Sequence, residues 1–198
     1  NDNSVKKVIS ASAVGIYPSD FKNYQAENEQ RVNNDFLGDV CQKWEAENVK
    51  FNELGIQTLI IRFGLVLSKH EGALPQFAKT LKSFTGGLLG SGKQWYSWIH
   101  YKDLVKIIYF GMNENLSGVY NGVAPNPKTQ KEFLVILSKV LKRRIIMPRI
   151  PTKLLKMVLG EMHHLITDSQ KISADKLLKE KFVFDYPLLR DALKKLYK

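Results

Sequence analysis

The chain has 198 residues, 44% of them hydrophobic, and a formal net charge of +11. That is enough apolar content for one domain with a core and a smaller second lobe, and no run of about 18 apolar residues exists to cross a membrane. A single cysteine, Cys41, excludes an internal disulfide and points to a reducing, cytoplasmic setting.

The charge is uneven. Residues 1–127 hold 13 Lys/Arg against 12 Asp/Glu, whereas residues 128–198 hold 17 against 7. A basic lobe of this kind is either a solvated surface or a site for an anionic ligand or partner. Nucleic acid is the runner-up partner, but zinc-finger spacing, an RNP-like aromatic strand and a helix-turn-helix signal are all missing. The four histidines (70, 100, 163, 164) are scattered, and adjacent His163-His164 lack the spacing that puts two imidazoles on one helix face. The expectation is therefore no metal site.

Val5 to Ser10 reads as a buried strand. It runs into the small residues Ala11-Ser12-Ala13-Val14-Gly15, which leave room for a ligand at a strand's C-terminal end. Asp20 to Asn34 reads as a loop. Asp35 is a candidate N-cap for a helix to about Asn52 with Phe36, Leu37, Val40, Cys41 and Trp44 on one face, closed by Gly55. Ile56 to Phe63 is apolar on both faces, as a buried parallel strand is. Strand, helix, strand makes a βαβ unit. Arg62-Phe63-Gly64 marks a second strand end, and Leu65 to Ser68 is a short extended piece.

Ala73 to Phe84 reads as an amphipathic helix ended by Gly86-Gly87. Next comes the stretch Gly90 to Leu104, a Gly-Ser-Gly turn followed by an aromatic strand, which reads as a hinge between two halves of the chain. Asp103 is expected to cap a helix from Leu104 to Asn113. A strand follows at Gly118 to Val123. Thr129 with Glu132 forms a capping-box pattern for a helix to about Lys142. Ile145 to Ile150 reads as a strand, and Thr152 caps a helix to about Leu159. Asp168 opens a helix through Leu178, Phe182-Val183-Phe184 is a short strand, and Pro187 precedes the last helix, Leu188 to Lys198.

Taken together these pieces resemble an extended short-chain dehydrogenase/reductase of the nucleoside-diphosphate-sugar epimerase type, in its atypical branch. The residues that carry the resemblance are Ser10-Ala11-Ser12-Ala13-Val14-Gly15-Ile16-Tyr17, Arg62-Phe63-Gly64-Leu65-Val66-Leu67-Ser68, Gly72-Ala73-Leu74-Pro75, and Gly90-Ser91-Gly92 with Trp95 and Ser97-Trp98-Ile99-His100. Further matches are Asp103-Leu104, Tyr120-Asn121, Ala124-Pro125-Asn126-Pro127, Gly160-Glu161-Met162 and the closing Phe-x-Phe-x-Tyr-Pro. They lie in family order along nearly the whole chain.

The resemblance implies an α/β fold: a partial Rossmann-like parallel sheet with a smaller C-terminal substrate-binding lobe. Residues 1–70 would be the second half of an NAD(P)-binding domain. Residues 71–198 would be the substrate lobe, with 101–124 returning to the sheet. It implies NAD or NADP as cofactor and a small anionic or nucleotide-linked substrate. The chain would be a fragment, covering the C-terminal two-thirds of such a protein.

Two departures qualify the resemblance. The phosphate-cradling Gly-x-Gly-x-x-Gly is absent, since Gly90-x-Gly92 precedes a strand and does not open a helix. No tyrosine has lysine four residues later, the pair that lowers a phenol pKa for acid–base work in the family at large. Where that pair would fall, the helix offers Phe36…Val40 or Leu37…Cys41. Epimerase or reductase chemistry thus stands beside a non-catalytic dinucleotide-binding or regulatory module.

Each candidate site residue has a functional and a structural reading. Ser12, or Ala13 if the register moves by one, lies where the family polarises a substrate carbonyl. Tyr17 is a replacement acid/base or simply an aromatic. Ala11, Arg62, Gly64 and Leu65 would border the cofactor, with Arg62 either meeting an anion or holding a structural ion pair. Trp95, Trp98 and His100 would face the substrate, one tryptophan stacking while the other is core. Cys41 faces the core of its helix.

Overall fold

The computed structural model describes residues 5–83, 86–146, 149–160 and 164–198. Three parallel strands organise it: β1 (Lys7–Ala13), β2 (Gln57–Phe63) and β6 (Gly118–Gly122), in the order β1-β2-β6. Ala13 pairs with Phe63 and Phe63 with Gly122, so the three C-terminal strand ends lie level along one edge. Ligands of open α/β sheets bind at that edge. The central strand β2 is buried on both faces from Thr58 to Arg62, which is why its sequence lacks polar alternation.

Helix α1 (Phe36–Val49) crosses from β1 to β2, and its N-terminus is capped by Asp35, whose carboxylate accepts from Gly38 N at 2.9 Å. A 3₁₀ turn (Lys50–Leu54) and Gly55 return the chain to β2. β3 (Leu65–Leu67) leaves the main sheet and pairs in parallel with β5 (Trp98–His100). Between them lie α2 (Ala73–Lys82) and β4 (Trp95–Tyr96). β4 joins β7 (Lys128–Thr129) antiparallel. The Gly90-Ser91-Gly92 turn before β4 has φ of 55° at Gly90 and 69° at Gly92, left-handed backbone that explains both glycines.

α3 (Tyr101–Asn113) follows β5 directly. α4 (Gln130–Val140) opens with the complete capping box of Thr129 and Glu132, as the sequence predicts. α5 (Thr152–Leu159), α6 (His164–Thr167), α7 (Asp175–Lys179) and α8 (Leu189–Tyr197) complete the order. One apolar cluster fills the space around the parallel sheet, with Leu59, Ile61, Ile107 and Phe182. A second joins α2, α4 and α8 around Tyr96, Trp98 and Phe133. No helix among the described residues is long and apolar enough to cross a membrane.

Several local expectations are corrected. α3 begins at Tyr101, and its cap is His100, whose Nδ1 accepts from Lys102 N at 3.1 Å. Asp103 lies in the first turn, where its two carboxylate oxygens accept from Asp185 N at 2.9 Å and Tyr186 N at 3.0 Å. Thr152 is the first residue of its helix, and the cap is Pro151. Among the described residues of the stretch from Ile145 to Ile150, Ile150 alone pairs, with Leu89; Met147 and Pro148 lie outside the described residues. Phe182 and Phe184 are buried and Val183 exposed, which imitates a strand's alternation, but the rings pack edge-on without a partner strand.

Residues 168–174 are the largest departure from the expected helix. Ile172 bridges Gln25, Asp20 N donates to Ser169 O, and Ser97 Oγ donates to Gln170 O at 2.7 Å. The side chains of Ser169 and Gln170 bond to distant backbone: Ser169 Oγ donates to Asp20 O and accepts from Trp95 N, and Gln170 Nε2 donates to Tyr17 O. These contacts hold Asp20 and Gln25 of the 20–34 loop against the segment. Phe84, the expected end of α2, and Glu161-Met162 of the family motif lie outside the described residues.

His100 is fully buried, stacked between Tyr101 and Tyr186 with ring centroids at 4.9 and 4.0 Å. Burial, with Lys102 nearby, lowers its pKa from 6.5 to about 4. The neutral ring is the folded form, so the contribution to stability is present above pH 6.5 and is lost as the pH falls toward 4. Unfolding by urea between pH 7 and 4 is expected to show a loss from this residue of at most about 3 kcal/mol. In His100→Asn, which retains a capping side chain, that part of the pH slope should vanish; an unchanged slope would refute the assignment.

Candidate functional site

At the level strand ends the backbones of β1 and β2 turn away from one another and open a cavity of about 450 Å³. Ala13, Val14 and Gly15 form one wall, and Phe63, Gly64 and Leu65 another. Leu37 and Cys41 of α1 close the side, Trp95, Tyr96 and Ser97 the far end, and His164, Asp168 and Gln170 the polar rim. Most of the lining is apolar, with a few convergent polar groups, the usual make-up of a small-molecule site.

Gly64 makes this geometry possible. A Cβ there would lie 2.3 Å from the Ser97 carbonyl oxygen and 2.7 Å from Val123 Cγ1. The glycine lets β2 pass directly against β5 and β6, so that Leu65 N can donate to Ser97 O at 2.8 Å.

Beneath the cavity floor lies a buried polar network. Ser12 Oγ donates to Glu45 Oε1 at 2.6 Å. Arg62 donates Nε to Glu45 Oε1 at 2.8 Å and an Nη to Glu45 Oε2 at 2.7 Å, a bidentate pair whose side chains are only 10% and 12% exposed. Its other Nη donates to Tyr17 Oη at 2.7 Å, and that hydroxyl donates to Asn121 Oδ1 at 2.8 Å. Asn121 in turn donates Nδ2 to Ser173 O and its backbone N–H to Glu27. Burial pushes the Tyr17 phenol up, against the lowering influence of Arg62. For Arg62 burial works against the charge, but the hydrogen bonds and charge interactions with Glu45 and Tyr17 together outweigh it, and the pKa lies above the ordinary value.

The residues singled out from the sequence therefore separate into two groups. Gly64, Leu65 and Trp95 reach the cavity. Ser12 and Tyr17 do not: alternation along β1 turns Ser12 to the Glu45 side and Ala13 to the cavity, the register alternative left open by the sequence. Arg62 is held in the ion pair. Ala11 is exposed and outside the lining. Trp98 is buried in the second core, its indole N–H donating to Asn126 O at 3.0 Å, and His100 caps α3 away from the cavity. Of the two tryptophans, Trp95 is thus the one at the site. Its indole N–H donates to Phe21 O, and Lys171 Nζ sits 4.5 Å from its ring centroid.

Sequence reasoning missed Asn33, Phe77, His164, Asp168 and Gln170 in the lining. For His164 and Asp168 a signal existed, since i,i+4 spacing places both on one helical face. Their side chains meet, His164 Nδ1 to Asp168 Oδ1, at 3.1 Å. Of the two apolar pairs that stand where the tyrosine–lysine pair would fall, Phe36 points outward, whereas Leu37 and Cys41 line the cavity.

The comparisons agree with this architecture. The NAD dependent epimerase/dehydratase family matches residues 1–122, and the chain belongs to that family. A domain of unknown function (DUF1731) matches residues 150–196. An epimerase family protein of Staphylococcus aureus is 37% identical over 197 residues, 98% of this chain and 64% of that protein. One from Staphylococcus epidermidis is 38% identical over 195 residues, 96% of this chain and 64% of its own length. The chain thus spans somewhat under two thirds of the curated relatives it matches. Among solved structures, a human epimerase family protein determined with NADPH aligns at TM-score 0.87 and 26% identity, over 97% of this chain and 65% of that one. The nucleoside-diphosphate sugar epimerase of Corynebacterium glutamicum aligns at 0.78 and 29%, over 99% of this chain and 38% of that one.

Two measurements test the geometry. Glu45→Gln leaves Arg62 buried without its counter-charge and is expected to cost about 3–5 kcal/mol in urea unfolding. The double variant Glu45→Leu/Arg62→Met should recover much of that loss; full retention of stability in the single variant would show that the pair is not buried as described. Burial pushes the Cys41 thiol up. Its reaction with a disulfide reagent at neutral pH should therefore be at least about tenfold slower than that of a free cysteine peptide, and should accelerate in denaturant.

Proposed function

We propose that this chain forms the nicotinamide-end and substrate-facing part of an NAD- or NADP-dependent epimerase or reductase acting on a nucleotide-linked, anionic substrate. The observation that carries the reading is the cavity at the C-terminal ends of β1 and β2, the ligand edge of a parallel sheet, in a chain of the NAD dependent epimerase/dehydratase family. The human relative was determined with NADPH, and the Corynebacterium relative is described as a nucleoside-diphosphate sugar epimerase. In this reading residues 1–70, with 101–124, belong to the nucleotide-binding half, and the rest of 71–198 forms the substrate lobe. The second apolar cluster, built mainly from α2, α4 and α8, supports a separate lobe, while Ile172, Leu177, Phe182 and Phe184 pack into the first cluster beside the sheet.

The roles of the residues follow their places. Gly64 and Leu65 would border the nicotinamide, and Trp95 would stack on the substrate or its base. Ser12, Tyr17 and Arg62 would act beneath the site by fixing the strand ends. The cofactor, when bound, would supply hydride transfer. This chain's own residues would orient the two partners and exclude water through the apolar walls of Leu37, Cys41, Phe63 and Phe77.

A second reading has its own support. No tyrosine here has lysine four residues later, and where that pair would fall the helix offers Phe36…Val40 or Leu37…Cys41, of which Leu37 and Cys41 line the cavity. A site with an apolar pair in that place could bind a dinucleotide without turning it over. The intact protein that carries this chain should be titrated with NADH and NADPH and then assayed with nucleotide-linked sugars. Binding that falls at least about tenfold in the cavity-filling variant Ala13→Phe is the expected outcome. Turnover selects the enzyme; binding without turnover of any sugar selects the regulatory module. Failure to bind either dinucleotide would overturn both.

A further inference from the structure

We infer that Asp35, His164 and Asp168 form a binding site for one divalent transition-metal ion of the zinc class at the rim of the cavity. The three side chains come from two distant segments, the N-cap of α1 and the turn of α6. One donor atom from each lies within 4.8 Å of the other two. Among the described residues no other group of three His, Cys, Asp or Glu side chains meets that condition.

The set is chemically specific. An imidazole with two carboxylates suits zinc, cobalt or nickel better than magnesium or calcium, which take oxygen donors. His164 Nδ1 and Asp168 Oδ1 are 3.1 Å apart. Two donors at that spacing, each about 2.1 Å from a shared ion, subtend about 95° at it, within the range of four- to six-coordinate sites. The third donor is pre-positioned. Asp35 uses Oδ1 to cap α1 through Gly38 N, which anchors one oxygen while the second can swing toward an ion. Closing the set requires that carboxylate to move by at most about 1.5 Å.

Burial is intermediate. The His164 side chain is 34% exposed and that of Asp168 21%, so an ion can enter from solvent. His164 and Asp168 also line the cavity. Three protein ligands leave at least one coordination position open, as in catalytic rather than structural zinc sites. The inference concerns only these three side chains and does not depend on the nicotinamide reading.

Direct binding tests it on the full 198-residue chain, without cofactor or substrate. Cobalt(II) is titrated and followed by its visible d–d absorption, and zinc is titrated by calorimetry at neutral pH. One ion per chain is expected, with affinity falling at least about tenfold in His164→Gln and in Asp168→Asn. Asp35→Asn retains a helix cap while removing the charge, and should weaken binding similarly. His70→Gln, at an exposed histidine elsewhere, should leave binding unchanged. Circular dichroism confirms that each variant is folded. Absence of a cobalt spectrum, or wild-type affinity in the folded His164 and Asp168 variants, overturns the site and reduces the cluster to an ion pair beside an acidic cap.

Discussion

The Arg62–Glu45 pair holds the functional edge of the molecule together. Arg62 lies one residue before the end of the central strand, and Glu45 is on the helix that crosses over it. Through Ser12 the same carboxylate reaches β1, and through Tyr17 and Asn121 the guanidinium reaches β6. One charged pair therefore connects all three parallel strands with α1. A buried pair of this kind adds little to net stability compared with apolar packing, because desolvation offsets much of the Coulomb attraction. Its consequence is geometric: the bonds it makes hold the ends of β1, β2 and β6 in register beside the cavity.

The cavity inherits its character from the same constraint. Since Ser12, Tyr17 and Arg62 are committed to the network, the residues of β1 and β2 that line the cavity are Ala13 and Phe63, followed by Gly64 and Leu65. Polar chemistry is displaced to the rim, where Ser97, His164, Asp168 and Gln170 gather. The segment carrying Gln170 is extended and stitched to Trp95, Ser97 and Gln25, so that the C-terminal part of the chain becomes a wall of the site. This division leaves Leu37 and Cys41 of α1 as an apolar side wall of a well-formed pocket.

The sequence itself carried the main elements. Two-sided hydrophobicity marked β2, the capping box marked α4, and the small residues after β1 marked a strand end with room for a ligand. These are local signals, set by propensity, capping and periodicity, and they survive whatever the chain packs against. Membership of the epimerase family was legible in the same way, from short motifs in order. Even the two alternatives for Arg62 were readable, because a cation at the end of a buried strand needs either an anion or a partner.

What the tertiary structure alone decided was which partner each side chain met. Ser12 and Ala13 differ by one step in a two-residue period, and only the position of Glu45 across the strand sends one to the network and the other to the cavity. His100 became a buried cap because Tyr186, 86 positions later, stacks on it. Residues 168–174 gave up a helix because the Gln25 backbone and the Ser97 hydroxyl offered partners from distant segments. Asp35 and His164 stand 129 positions apart, and no pattern in the sequence joins them. Local chemistry is written along the chain, whereas a site depends on non-local contacts that only packing brings into range.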